Sequence, residues 1–98
     1  MDDNTLYVGA KDGMVIQMNL ISQTTEHYQI HQDAVRAIKS HNNTLMTCGE
    51  DNRVIMTKLP SKKSQEYLKT DNFIQDVLII KNTIYTAGFD GRILKKDL

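Results

Sequence analysis

Tryptophan is absent from this chain, cysteine and proline occur once each, and aromatic residues make up 6% of it. A single cysteine, Cys48, allows neither an internal disulfide framework nor a multi-cysteine zinc site. Charge of one sign is not in excess, since 12 Lys+Arg balance 12 Asp+Glu. No bulk field is therefore available to hold a phosphate backbone or an anionic membrane, and nucleic acid is not expected as a direct partner. Long apolar runs are missing too: Val77-Leu78-Ile79-Ile80 is the longest, far below the ~18 residues of a spanning helix. The opening Met1-Asp2-Asp3-Asn4 does not have the basic start and apolar centre of a secretion signal. The expectation is an intracellular protein, cytoplasmic or nuclear, with no membrane partner. With 98 residues, 40% hydrophobic and 24% charged, the chain sits in the ordinary globular range and amounts to one domain at most.

What is present is an internal repeat. Asn4-Thr5-Leu6-Tyr7-Val8, Asn43-Thr44-Leu45-Met46-Thr47 and Asn82-Thr83-Ile84-Tyr85-Thr86 each begin 39 residues after the one before. In the same gapless register Asp12, Asp51 and Asp90 align, followed by Gly13, Asn52 and Gly91. Next come Val15-Ile16, Val54-Ile55 and Ile93-Leu94, then Leu20, Leu59 and Leu98. The two longer units also match at Tyr28 and Tyr67, Val35 and Ile74, and Ile38 and Val77.

Each unit reads as short strands. Asp-Gly or Asp-Asn between apolar runs is a hairpin signal, because both residues tolerate positive φ. Asn-Thr after Ser40-His41-Asn42 marks a second turn. Ala34 to Lys39 and Phe73 to Ile80 are rich in β-branched residues, as strands prefer, and a weaker strand falls near Glu26 to Ile30 and Glu66 to Lys69. Pro60 and Ser61 sit in a loop. A period of ~40–45 residues holding four strands is that of one propeller blade. The expected fold class is all-β: propeller blades of four antiparallel strands, in an incomplete propeller segment.

His31-Gln32-Asp33-Ala34-Val35-Arg36-Ala37-Ile38, followed by Leu45-Met46-Thr47-Cys48-Gly49-Glu50-Asp51-Asn52-Arg53-Val54-Ile55, resembles a unit of the WD-repeat β-propeller family. In that family a histidine precedes the innermost strand, Ser or Thr lies on the second, Asp makes the turn to the third, and Trp often ends the third. The resemblance implies a hydrogen-bonded set of His31, Thr47 and Asp51, with Thr57 at the Trp position. In the last unit Thr86 and Asp90 match, while Thr70 stands for His and Lys96 for Trp. The first offers Val8, Asp12 and Met18. The family's phase implies a division into 1–30 (second to fourth strands of one blade), 31–69 (a complete blade) and 70–98 (the first three strands of another).

No catalytic, cofactor-binding or metal-binding residue is expected. His31 and Asp51 suit a structural tie between loop and turn, since no nucleophile is placed beside them. Cys48 aligns with the small residues Gly9 and Ala87 and is read as a packing position. His27, His31 and His41 are not spaced to converge on strands. Lys62-Lys63 and Lys95-Lys96 are read as solvated surface, and Asn42-Asn43-Thr44 as turn chemistry. Leu6 to Gly13 also resembles the repeat of quinoprotein-type propellers, which implies the alternative of a cofactor-dependent enzyme fragment. The leading expectation is a non-catalytic protein-binding scaffold that assembles with another chain or with copies of itself. Its rim in the WD-repeat geometry would present Lys11, Glu50 and Phe89 beside the tight turns, with Asp33 and Asn72 next to the innermost strands.

Overall fold

A computed structural model describes residues 4–59 and 61–97. The positions of Pro60 and Leu98, assigned above to a loop and to the repeat's end, lie outside the described residues, as do 1–3. Ten strands follow one another: β1 (Thr5–Gly9), β2 (Met14–Asn19), β3 (Thr25–Gln29), β4 (Val35–His41), β5 (Thr44–Gly49), β6 (Arg53–Lys58), β7 (Lys63–Lys69), β8 (Ile74–Ile80), β9 (Thr83–Gly88) and β10 (Ile93–Asp97). They form three antiparallel meanders, β1-β2-β3, β4-β5-β6-β7 and β8-β9-β10. No helix occurs among the described residues, and the fold class agrees with the all-β propeller expectation. Phe73, expected to open a strand, lies just before β8.

The repeat fixes the register. Thr47 pairs with Ile38 on one side and Ile55 on the other, and Thr86 pairs with Val77 and Leu94 in the same way. At the tight turns, however, only the second residue is left-handed: Gly13 (φ 88°), Asn52 (φ 68°) and Gly91 (φ 85°). Each turn closes by a hydrogen bond to the carbonyl three residues back, at Ala10, Gly49 and Gly88. The carboxylate of Asp12, Asp51 or Asp90 then accepts the backbone N–H two residues on, at 3.2, 3.3 and 3.1 Å. This is a type I turn followed by a left-handed residue, not a two-residue turn with both φ positive. The aspartate keeps ordinary φ, and its side chain reinforces the backbone closure. By contrast Asn42 (φ 48°) and Asn43 (φ 58°) are both left-handed between β4 and β5, which suits the two-residue hairpin.

Strand alternation sends the two faces of the middle sheet to different neighbours. Met46, Cys48 and Val54 form the core with Ile74, Val77 and Ile84 of the third sheet, and Ala37, Met56, Tyr67, Leu68 and Ile79 pack around it. Leu45, Thr47, Ile55 and Thr57, on the opposite face, are also buried. The first sheet closes on the middle one at backbone range. A Cβ on Gly9 would strike the Val35 side chain, and one on Gly13 would strike the His31 carbonyl oxygen. The innermost strands run side by side, with Arg36 Nη2 donating to Gln75 Oε1 at 3.2 Å. The outer strands are tied by Tyr67 Oη donating to the Asp97 carbonyl at 2.7 Å, and by Lys96 Nζ over the Tyr67 ring.

Candidate functional site

The end of the sheets that carries the tight turns gathers most of the residues expected from the sequence. His31 is 1% exposed, held there because its own N–H donates to the Gly13 carbonyl of the preceding turn at 3.0 Å. Its Nδ1 lies 2.9 and 3.0 Å from the Asp51 carboxylate oxygens, and its Nε2 lies 2.7 Å from Thr47 Oγ1. Nδ1–H donates to the carboxylate, and Nε2 shares the other hydrogen bond with the Thr47 hydroxyl, which also lies 3.4 Å from the Ile55 carbonyl. Asp51 also accepts the Gln32 N–H at 3.0 Å, and Arg53 Nε sits 3.6 Å from it. Burial opposes ionisation of Asp51, but the Gln32 N–H, the His31 ring and the Arg53 guanidinium outweigh it, so the carboxyl titrates below its usual range.

The set ends there. Thr57, at the Trp position, pairs with Ser64 Oγ at 2.8 Å instead of reaching Thr47. Asp12, Asp90 and Thr86 are not joined in equivalent threesomes. Asp12 closes its own turn, whereas Asp90 binds Arg92 through Nε at 2.9 Å. Those hydrogen bonds from Arg92 hold the Asp90 carboxyl below its usual range as well. Thr70 Oγ1 turns to the Asn72 carbonyl at 2.8 Å. Alignment of Arg53 with Arg92, 39 residues apart, was the available signal for the arginine that both turns share.

Four of the five residues expected on the rim fall at this end in two pairs, with Lys11 apart. Glu50 N–H donates to the Ala34 carbonyl, next to Asp33, at 2.9 Å, and Phe89 N–H donates to the Phe73 carbonyl, next to Asn72, at 2.8 Å. Asp33 Oδ1 and Asn72 Oδ1 each accept the following N–H at 2.8 Å, which fixes the entry to β4 and β8. Glu50 is paired with Arg36 at 3.3 Å, and Lys11 is exposed beside the Gly13 turn. Phe89 is 63% exposed and stacks at a tilt on Phe73 with centroids 6.0 Å apart, within its own sheet. Phe73, missed from the sequence as a rim residue, makes this an aromatic pair.

The potentially reactive side chains at this end are enclosed. Both His31 nitrogens are engaged, and the ring is closed off from solvent. Cys48 is fully buried, and burial, reinforced by Asp76, pushes its thiol up to about 12, leaving no thiolate at neutral pH. No cluster of three metal-ligating side chains occurs among the described residues.

No family model matches the sequence, and no curated protein does. Solved structures do match. The computationally designed Ika4 protein superposes with a TM-score of 0.85 at 17% identity, over 100% of this chain and 62% of its own. The designed Ika8 protein gives 0.88 at 19% identity, covering 99% of this chain and 31% of that one. The Myceliophteria thermophila Cps50 (Swd1) β-propeller domain gives 0.87 at 16% identity, covering 97% and 32%. This chain spans less than two thirds of the length of each. The likeness, together with the three meanders, establishes the fold as a segment of a β-propeller.

Proposed function

We propose that the chain is a non-catalytic, protein-binding scaffold segment of WD-repeat-like character. Its open sheets are completed by another chain or by copies of itself within a larger complex. The observation that carries this reading is the contrast between covered and uncovered turns. The carbonyls of Gly13 and Asn52 each accept the N–H of the residue entering the next sheet, His31 at 3.0 Å and Thr70 at 2.8 Å. A Cβ on Gly91, the third residue of this kind, meets nothing within 4 Å. The strand beside it, β10, is exposed along its whole length, with Ile93 at 74%. On the other flank Leu6 and Val8 of β1 are 46% and 44% exposed.

A propeller sheet buries both faces against neighbours, and an open strand edge adds unpaired backbone groups. Hydrophobic and backbone terms therefore both favour association. The rim of Lys11, Asp33, Glu50, Asn72 and Phe89 supplies a mixed polar and aromatic surface of the kind enriched at interfaces, with Phe89 its anchor. The role as a non-enzyme rests on the enclosed His31 and Cys48.

Sedimentation across a dilution series of the purified 98-residue chain tests the assembly. Oligomers, or a poorly folded chain rescued by its partner, are expected. A compact monomer that unfolds cooperatively at low micromolar concentration would sink the idea.

A further inference from the structure

The middle and third sheets share the turn aspartate and the second-strand threonine but differ in the histidine between them. Asp51 accepts from His31 Nδ1, from Gln32 N–H and from Arg53 N–H, with Arg53 Nε alongside. Asp90, in the same place, accepts from Arg92 N–H at 3.1 Å and Arg92 Nε at 2.9 Å, with no side chain from the preceding segment joining them among the described residues. A carboxylate has about four acceptor sites, so Asp90 retains capacity that its counterpart uses. Thr86 is 3% exposed, and its hydroxyl has no hydrogen-bond partner among the described residues, whereas Thr47 Oγ1 meets His31 Nε2.

Thr70 keeps the backbone place of His31, donating to Asn52 O as His31 donates to Gly13 O. Its short side chain bonds back to Asn72 and leaves the ring position vacant. The space that results is a cavity of about 180 Å³ lined by Thr70, Phe73, Thr86, Gly88, Asp90 and Arg92, with Lys69 and Asp71 also on its wall. We propose that this cavity binds an imidazole ring supplied from outside the repeat. One ring nitrogen donates to Asp90, and the other meets the Thr86 hydroxyl, as His31 does between Asp51 and Thr47. The ring belongs either to a free small molecule or to a histidine side chain of another polypeptide.

The test is titration of the full chain, in the assembly it forms, with imidazole, 1-methylimidazole and N-acetylhistidine amide. Amide and methyl NMR signals of Thr86 and Asp90 report binding, and the unfolding midpoint reports stabilisation. Imidazole should bind saturably in the millimolar range expected of so small a ligand. 1-Methylimidazole, which has lost its N–H, should bind at least about fivefold more weakly, because a site built around a donor rejects the analogue lacking it. Thr70→His should raise the unfolding midpoint and abolish the response. Thr86→Val should weaken the response without filling the cavity. Binding of N-acetylhistidine amide as tightly as imidazole points to the polypeptide source, and weaker binding points to the small molecule. A cavity that holds water alone would give no saturable shift. That result, equal binding of 1-methylimidazole, or an unchanged imidazole response in Thr70→His would each overturn the proposal.

Discussion

The turn end of the middle sheet and that of the third are built from the same repeat, yet one is closed and the other open. In the middle sheet His31 arrives from the segment that caps the Gly13 turn and locks Asp51 to Thr47. In the third, Thr70 arrives by the same backbone hydrogen bond to Asn52 but brings no ring, and among the described residues no atom lies within 4 Å of a Cβ built on Gly91. Each sheet's network is thus set by the residue that opens its own unit. The network depends on the side chain carried into it, and the shelter of the turn depends on the next sheet.

The largest effect expected from this contrast concerns the left-handed glycines. Gly13→Ala and Gly91→Ala both place a side chain at positive φ, which costs about 1 kcal/mol. In Gly13→Ala the new methyl also meets the His31 carbonyl, so the total should reach about 3 kcal/mol or more. Gly91→Ala has open space around it and should cost only the first amount. Chemical denaturation of both variants measures the difference, and equal losses would show that the first turn is not seated on the middle sheet.

Next in size are the aspartates. Asp51→Ala strands the His31 ring and the Gln32 N–H, and should cost about 2–3 kcal/mol. Asp12→Ala and Asp90→Ala remove turn closures at exposed positions and should cost less. The sign of the acid dependence follows from the depressed native pKa of Asp51. Its contribution is complete above the unfolded value of about 3.9, and it is lost as pH falls through the lower native value. Asp51→Asn should therefore differ most from the parent at neutral pH and converge with it in acid. A gap that stays constant down to the acid transition would dissociate the carboxylate from the network.

The smallest effect expected on stability is that of Phe89→Ala. It removes one tilted ring pair with Phe73, worth about 0.5–1.5 kcal/mol beyond area, from a ring that is 63% exposed. Partner capture should fall much more than stability does if Phe89 anchors an interface, and a loss confined to stability would reduce it to local packing.

Much of this was legible in the chain. Asn-Thr and Asp-Gly recurring every 39 residues mark two turns per unit, and apolar runs between turns mark strands, so the meander was written in local chemistry. The partners of His31 were legible through the family resemblance, because Thr47 and Asp51 occupy its positions. The geometry of the Asp-Gly turn was not, since whether one or both of its residues turn left-handed depends on the register of the flanking strands. Nor was the Phe73–Phe89 pair, which joins the entry of β8 to the turn after β9. The cavity beside Thr86 also escaped the sequence, which shows a threonine for a histidine without showing what fills the gap.

The sequence by itself determined the strands, their antiparallel order and the places of the tight turns between them, because these follow from spacing, β-branching and the φ tolerance of Gly and Asn. Only the tertiary structure decided which aspartate is buried in a network and which pairs with a neighbouring arginine. It likewise decided which turn is sheltered and that Cys48 is buried. Those outcomes depend on what the adjacent sheet brings within hydrogen-bonding distance and how far it excludes water, and neither is a property of a residue or of its neighbours along the chain.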